Sequence, residues 1–312
     1  MSRILADTRK LTHEQWLEQR RTGIGGSDAA VICGLNPYVT PYALWADKTG
    51  RLAPKEDNEA MRQGRDLEAY VAKRFEEHSG KKVRRKNFIL QHDDYEFITA
   101  NIDREVIGEK AGLECKTTSV MNLKKFKNGA FPDQYYVQCV HYLAVTGYQK
   151  WYLAVLILNQ GFHVFEIERD EAEIAALLEA EKQFWKTYVV PDVPPPVDGH
   201  PATSRAISEV FADAGGECDL MGIATVQNYL TLKQSKKQIE NEIEKLEQEI
   251  KTEMGACETG YCGDYTVRWA KQRRETIAKD RLLEAYPDLD YQKITKISEF
   301  RKFSIQEERK EE

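Results

Sequence analysis

A proline-rich segment divides this sequence of 312 residues into two parts of different character. Four prolines fall within the six residues 191–196, and Pro201 follows shortly after. Because proline lacks a backbone N–H and clashes with the preceding helical turn, neither an uninterrupted helix nor a central strand can cross this segment. We therefore expect an α/β domain over residues 1–190, a linker over 191–201 and a C-terminal extension over 202–312.

Residues 1–190 alternate between helical and extended patterns. Helices are expected near 12–20, 58–78, 133–146 and 170–188, with a further one starting at the Thr40-Pro41 pair. Strands are expected at 88–90, 97–99, 102–107, 113–117, 151–158 and 162–167. The order of helix, strand meander, helix and strand pair predicts an α/β (α+β) fold with a mixed sheet flanked by helices.

The extension is dominated by a predicted helix over 226–254. Its apolar residues alternate spacings of three and four once Lys236 is counted, which is typical of a coiled-coil seam: Leu232, Ile239, Ile243, Leu246 and Ile250. Such a seam needs cover from a second helix, from the α/β domain or from another chain. Beyond it, Tyr261–Lys271 alternates like a short strand or hairpin.

Charge and apolar patterning narrow the class of protein. A net charge of −6 argues against wholesale electrostatic binding to nucleic acid, although a local basic groove is compatible with it. Basic residues cluster within 81–86, 124–127 and 271–274. No apolar run approaches the roughly 20 residues of a membrane span, and the N-terminal residues lack an apolar signal core. We therefore expect a cytoplasmic protein with no membrane partner, and its six scattered cysteines indicate no zinc or disulfide framework.

The chemistry is expected at Asp103, Glu114 and Lys116. Gly108 and Gly112 turn the chain between the two carboxylates, so neighbouring strands can bring them together. Residues two apart on a strand share a face, which places Glu114 and Lys116 side by side. Two carboxylates repel one another unless a cation lies between them, and Mg²⁺ suits hard oxygen ligands while retaining waters that it can activate. The alternative is a hairpin with ordinary surface charges.

Three further groups of residues support the catalytic interpretation. Glu68 lies on the helix before the strands, where it could supply a third metal carboxylate, although a solvated helix residue is the alternative. Gln138 and Tyr142 are one helical turn apart, so amide and phenol could both meet a phosphate unless the aromatic face packs in the core. The segment 20–27 combines arginine, hydroxyl and exposed glycine N–H groups, which are the components of a phosphate cradle.

In this order, these motifs resemble the YqaJ-type viral recombinase family, relatives of phage lambda exonuclease with a PD-(D/E)XK nuclease core. The resemblance covers roughly residues 10–190 and rests on Arg-Arg-Thr-Gly-Ile-Gly-Gly-Ser-Asp-Ala, Gly-x-x-x-Glu, Asp with Glu-x-Lys, and Gln-x-x-x-Tyr. It implies a restriction-endonuclease-like core and one nuclease centre.

The resemblance also implies roles for individual residues. The metal ligands would be the carboxylates of Glu68, Asp103 and Glu114 with the backbone carbonyl of Cys115, and Lys116 would be the catalytic lysine. A terminal 5′ phosphate would be bound by Arg21 (or its neighbour Arg20), Ser27 and Gln138, with Tyr142 supporting them. The metal would be Mg²⁺, with Mn²⁺ as a substitute.

The function expected on this basis is a 5′→3′ double-strand DNA exonuclease of phage or prophage recombination. It would act on duplex ends and leave 3′ single strands for a single-strand annealing recombinase. The resemblance implies a ring-shaped homo-oligomer such as a trimer. Two alternatives stay open, namely an endonuclease or repair nuclease without end specificity, and a non-catalytic DNA-binding or assembly protein.

Overall fold

The structure, a computed structural model, describes residues 2–54, 57–213, 215–220, 222–286, 288–297 and 301–305. Within this part, the chain divides into two compact units, one formed by Met1–Ala212 with Arg301–Glu312 and the other by Asp213–Phe300. None of the described helices is both long enough and apolar enough to cross a membrane.

The first unit is built on a five-stranded mixed sheet. Its strands are β2 (Val83–Arg85), β5 (Arg104–Val106), β6 (Ala111–Thr118), β7 (Lys150–Ile157) and β8 (Gly161–Glu168), in the order β2-β5-β6-β7-β8. Only β6 and β7 run parallel, and α5 (Asp133–Thr146) lies between them in the chain. A smaller antiparallel sheet has the order β1-β3-β4, formed by Arg3–Asp7, Phe88–Gln91 and Thr99–Asn101.

The other α-helices of the described part of this unit are α1 (His13–Arg21), α2 (Gly26–Ile32), α3 (Pro41–Lys48), α4 (Glu59–Ser79), α6 (Glu171–Phe184) and α7 (Pro201–Val210). Local signals explain their ends. The Thr40 hydroxyl accepts from Ala43 N at the start of α3, where Pro41 occupies the first turn. Asn58 caps α4, which ends at Gly80 in the left-handed conformation (φ 71°).

Alternating side chains of β7 separate the two faces of the sheet. Trp151, Leu153 and Val155 pack in the cluster that contains α5. Tyr152 and Ala154 pack on the opposite side, in the cluster that contains α4. The sheet is therefore covered by helices on both faces, as the sequence predicted.

The second unit contains α8 (Ile223–Met254), the hairpin β9 (Thr259–Cys262) with β10 (Tyr265–Arg268), and α9 (Lys279–Ala285). The expected seam residues of α8 are exposed, at 44–68% of their surface. The coiled coil itself stays a prediction.

The structure places the division of the chain later than the expected linker at 191–201. After the prolines, α7 returns to the first unit, where Ala206 packs in the cluster of Leu44 and Trp45 from α3. The hydroxyls of Thr203 and Thr40 form a buried hydrogen bond of 2.8 Å. Prolines end a helix but leave the following segment free to return to the core, so composition alone marked the boundary too early. The helix expected at 170–188 also differs, since it ends as a π-helical turn over Trp185–Val189.

Candidate active site

Glu114 and Lys116 lie on the central strand β6 and share its α5-facing side. The residue between Gly112 and Glu114, Leu113, packs in the α4 cluster, so the alternation of the strand turns Glu114 the other way. Glu114 is 3% exposed, and Lys116 Nζ lies 2.6 Å from its Oε1 atom. Burial alone would lower the pKa of Lys116, but the carboxylates of Glu114 and Asp103 raise it above its ordinary value. Lys116 therefore keeps its charge inside the site.

Asp103 joins this pair from the start of β5. Its Oδ2 atom accepts a 2.8 Å hydrogen bond from the backbone N–H of Cys115, which fixes the carboxylate beside β6. Burial raises the pKa of Asp103 well above its usual range, and the carboxylates of Glu114 and Glu68 raise it further. The site thus holds more negative charge than its protein partners balance.

The donors present fit a divalent cation. The Oε2 atom of Glu114 is buried and has no hydrogen-bond partner among the described residues, and such an oxygen is costly unless something binds it. Together with Asp103, it offers the one or two carboxylates by which Mg²⁺ is usually held, with waters and substrate phosphate completing the octahedron. No set of three or more His, Cys, Asp or Glu side chains within the described residues has metal-binding geometry.

Glu68, expected as the third carboxylate, is engaged elsewhere in this arrangement. Its Oε1 atom accepts from Arg104 Nη1 and lies 3.5 Å from Arg85 Nη2. Arg104 is 6% exposed, so its charge requires a partner that only a carboxylate can supply. The assignment of Glu68 as a metal ligand stays a prediction. The Cys115 side chain packs against the α4 cluster, which leaves its backbone as the group near the metal-site carboxylates.

Gln138 connects α5 to the carboxylates. Its Nε2 atom donates to Glu114 Oε1 and to Tyr142 Oη, both at 2.8 Å. Tyr142 is also buried in the core, as the packing alternative expected, and its contact with a phosphate stays a prediction. Helix α2 lies directly against the pair, because a Cβ atom at Gly26 would stand 2.6 Å from Tyr142 Cε1. Glycine at this position allows the close approach.

The 20–27 segment forms the other wall of the site. Arg20 Nη2 donates to Ser27 Oγ at 3.0 Å, and the guanidinium carbon lies 5.0 Å from the centre of the Trp16 ring. Arg20 and Ser27 line a cavity of about 180 Å³. Its other lining residues are Trp16, Gln19, Gly25, Gly26, Ile89, Thr99, Asn101, Asp103, Glu114, Gln138 and Tyr142. Of the expected site residues, Arg20, Ser27, Asp103, Glu114, Gln138 and Tyr142 line this one space, whereas Glu68, Cys115 and Lys116 are not part of its lining.

Arg21, which we preferred over Arg20 for the phosphate, does not line this cavity. Its Nη2 atom donates to the carbonyl of Leu52 at 3.0 Å, and its Nε atom lies 3.8 Å from Asp47 Oδ1. Neighbouring positions on a helix differ by about 100° in direction, so only one of two adjacent arginines can face the cavity. Of the two arginines, Arg20 is the one that lines the cavity, and its contact with a phosphate stays a prediction.

The basic cluster at 81–86 is largely neutralised within the protein. Its members form ion pairs: Lys81 with Glu109, Lys82 with Glu76, Arg84 and Lys86 with Glu105, and Arg85 with Glu68. The lysines that follow β6, by contrast, are exposed and form no ion pair to any described residue: Lys124, Lys125 and Lys127. They place unpaired positive charge on the segment that follows the strand carrying Lys116.

Two buried pairs of titratable side chains were not anticipated. Asp28 and Lys48 form an ion pair of 2.6 Å beside Arg20. His141 Nδ1 and Glu181 Oε1 form a hydrogen bond, also of 2.6 Å, in which both side chains are fully buried. A lysine at the end of the largely apolar helix α3 was the available signal for the first pair. Nothing in the local sequence distinguishes the second.

Comparisons with known proteins show the family to which the chain belongs. The family model for the YqaJ-like viral recombinase domain matches residues 15–149. A Bacillus subtilis (strain 168) protein described as "Uncharacterized protein YqaJ" is 42% identical over 311 residues, and the match covers 97% of each chain. The chain therefore belongs to the YqaJ-like viral recombinase family.

Among solved structures, similarity is found to LHK-Exo, an alkaline exonuclease from Laribacter hongkongensis, in its complex with dAMP. The identity is 22% and the TM-score 0.49, over 56% of this chain and 91% of that one. A phage-related exonuclease from Haemophilus somnus 129PT is 15% identical with a TM-score of 0.42, over 55% and 97% of the two chains.

Proposed function

We propose that this protein is a Mg²⁺-dependent 5′→3′ exonuclease that acts on double-stranded DNA ends and leaves 3′ single strands. The observation that supports this best is the single cavity shared by Arg20, Ser27 and Gln138 with Asp103 and Glu114. A guanidinium and a hydroxyl suit a terminal phosphate, whereas the carboxylates suit a metal ion. The terminal nucleotide could then be held by its 5′ phosphate while the phosphodiester that joins it to the next nucleotide is cut.

Each residue has a distinct task in the proposed hydrolysis. A divalent ion, when bound by Asp103 and Glu114, supplies the positive charge that activates water and polarises the scissile phosphate. Lys116 stabilises the negative charge that grows on the phosphate oxygens as water attacks in line. Gln138 holds Glu114 through Oε1, while Oε2 has no hydrogen-bond partner among the described residues. No covalent intermediate with the protein is required.

The distinction between exonuclease and endonuclease rests on the Arg20–Ser27 wall. An endonuclease has no need of a group that recognises a terminal phosphate. The test is digestion of linear duplex against covalently closed circular duplex, with linear ends carrying either a 5′ phosphate or a 5′ hydroxyl. We expect the circle to survive and the phosphorylated ends to be degraded faster. Consumption of the circle at a similar rate would instead identify an endonuclease.

We propose that the exposed lysines Lys124, Lys125 and Lys127, which follow β6 in the chain, contact the duplex. Contacts to phosphates release counterions and weaken steeply with salt. A short row of three charges gives modest affinity, which is compatible with an enzyme that must move along its substrate. The net charge of −6 on the whole chain limits further nonspecific attraction.

For its partners, we infer a single-strand annealing recombinase and further copies of this chain arranged as a ring. The oligomer is proposed to form through the first unit, and α8 to bind the recombinase. The exposed apolar seam of α8 is flanked by four acidic residues: Glu240, Glu242, Glu247 and Glu249. In a parallel pair of α8 helices these residues would face one another and repel. A partner helix with an apolar seam and basic flanks fits this surface better than a second α8.

A further inference from the structure

Lys48 is a buried lysine that lies just behind the cavity wall. Its side chain is 1% exposed, and its ammonium group has two protein acceptors, the Asp28 Oδ2 atom at 2.6 Å and the Arg20 carbonyl oxygen at 2.7 Å. Burying an ammonium is expensive unless it is paired and hydrogen-bonded. Lys48 itself does not line the cavity, so it cannot contact a substrate there.

Asp28, its partner, is the residue after Ser27 in the first turn of α2. It is 7% exposed, and its Oδ2 atom also accepts from the Gly25 N–H at 3.0 Å. Its other oxygen, Oδ1, lies 3.9 Å from Arg20 Nη2. The same nitrogen donates to Ser27 Oγ at 3.0 Å. Arg20 thus has two neighbouring acceptors, the Ser27 hydroxyl that faces the cavity and the buried carboxylate behind it.

These two acceptors compete for one guanidinium. A carboxylate with no other cation would form a short, paired set of hydrogen bonds with Arg20, because such bonds are roughly twice as strong as neutral ones. The guanidinium would then be drawn towards Asp28 and away from an incoming phosphate. With Lys48 in place, the charge of Asp28 is already balanced at 2.6 Å, and Arg20 stays 3.9 Å away.

We propose that Lys48 is a positioning residue for phosphate recognition, which keeps Arg20 available to the 5′ phosphate by satisfying Asp28. This inference rests on the proposed function, in that the ligand is the terminal phosphate of a DNA duplex. Lys48 contributes in a second way as well, since its hydrogen bond to the Arg20 carbonyl holds the C-terminal turn of α1 against α3.

The test compares Lys48→Met with the double variant Lys48→Met/Asp28→Asn. The single variant leaves Asp28 charged and free to capture Arg20. The double variant removes both buried charges, so Arg20 is released. Lys150→Met is the matched control, because Lys150 also pairs with a carboxylate, Glu166, but lies outside the cavity lining.

The first readout is steady-state digestion of linear duplex with 5′-phosphorylated or 5′-hydroxyl ends. In Lys48→Met, KM for phosphorylated ends should rise by about tenfold, as for the loss of one charge-assisted hydrogen bond. The effect should fall on KM rather than on kcat and be much smaller for hydroxyl ends. The double variant should recover most of the preference for phosphate, and the control should match the parent.

Two results would overturn the inference. One is a Lys48→Met protein with the parental preference for phosphate. The other is an equal loss of activity on both kinds of end together with a lowered melting temperature, where the double variant recovers both. Lys48 would then serve folding alone.

A second readout separates this inference from the proposed function. Phenylglyoxal modifies exposed guanidinium groups, and its rate at Arg20 can be followed by mass spectrometry of the peptide that contains it. Arg20 should react more slowly in Lys48→Met than in the parent and regain its rate in the double variant. If the parent showed no preference for phosphorylated ends while these rates changed as expected, the proposed recognition of the 5′ phosphate would be wrong. The effect of Lys48 on the position of Arg20 would still be supported. Equal rates in all three proteins would refute the positioning itself.

Discussion

Lys116 Nζ lies 2.6 Å from Glu114 Oε1, and both side chains extend from the same face of the central strand β6. Because Glu114 and Lys116 are two positions apart on one strand, the strand itself places the ammonium next to the buried carboxylate. The opposite oxygen of Glu114 has no partner in the described part of the chain. Glu114 is therefore held by protein groups on one side and available to a cation on the other.

The first prediction concerns the charge of Lys116. Lys116→Ala should fold as the parent does and still bind duplex ends, but lose about a hundredfold or more of kcat, because each ~1.4 kcal/mol of lost transition-state stabilisation is tenfold in rate. Single-turnover digestion in Mg²⁺ measures the loss. Lys150→Ala serves as a control for removal of a paired lysine. Near-parental rates in Lys116→Ala would exclude a catalytic role.

The second prediction concerns the stability of the site without metal. The pKa of Asp103 is raised in the folded state, first by burial and then by Glu114 and Glu68. At a pH between the unfolded and the folded pKa, the folded protein therefore holds a proton that the unfolded chain has released. Stability conferred by this group is therefore present at low pH and falls as pH rises from the unfolded pKa through the folded one. At neutral pH, Asp103→Asn should raise the melting temperature of the metal-free protein; each ~1 kcal/mol corresponds to roughly 2–4 °C.

Added Mg²⁺ provides the matching comparison. It should raise the melting temperature of the parent, since a ligand of the folded state stabilises it by mass action. The same addition should have little effect on Asp103→Asn. Scanning calorimetry with and without EDTA gives both values, and a metal-free Asp103→Asn protein less stable than the parent would contradict the excess of negative charge.

Sequence patterns anticipated much of this site because the relevant distances along the chain are short. The shared face of Glu114 and Lys116 follows from strand alternation, and the adjacency of Gln138 and Tyr142 follows from the helical repeat. The mixed sheet flanked by helices was likewise expected. The sequence did not predict which of Arg20 and Arg21 faces the cavity, because this depends on how α1 is rotated against α2 and α3.

Other features depend on contacts between distant segments. Glu68 meets Arg104, 36 positions later in the chain, and the Asp28–Lys48 pair joins two helices across a loop. Composition marks charges of this kind but does not specify their partners. The return of α7 to the first unit was missed for the same reason, since the Thr203–Thr40 hydrogen bond spans 163 positions.

The third prediction separates the two arginines. Arg20→Ala should slow digestion of 5′-phosphorylated ends by about tenfold or more and affect 5′-hydroxyl ends far less, since the guanidinium fork acts on the phosphate. Arg21→Ala should instead reduce both activities together, through the lost contact with the Leu52 carbonyl. Competition between the two kinds of end in one reaction measures the difference. A selective loss in Arg21→Ala alone would reverse the assignment.

The fourth prediction concerns the division of the chain. Truncation after Ala212 should preserve basal nuclease activity and oligomeric state while weakening association with an annealing recombinase. Truncation after Gly199 should be less stable, because it removes the buried residues Ala202, Thr203 and Ala206. Light scattering and thermal melting of both chains provide the comparison. A monomeric 1–212 chain beside an oligomeric full-length protein would make the second unit the assembly element.

Release of label from linear duplex carrying a 5′-terminal phosphate, labelled at either the 5′ or the 3′ end, tests the proposed 5′→3′ exonuclease activity. With Mg²⁺, the 5′ label should leave first as a mononucleotide, and the 3′ label should stay on DNA that has become single-stranded. EDTA or Glu114→Gln should abolish release, while binding of the duplex persists. Release that begins at 3′ ends, or that continues at the parental rate in Glu114→Gln, would contradict a 5′→3′ exonuclease centred on Asp103, Glu114 and Lys116.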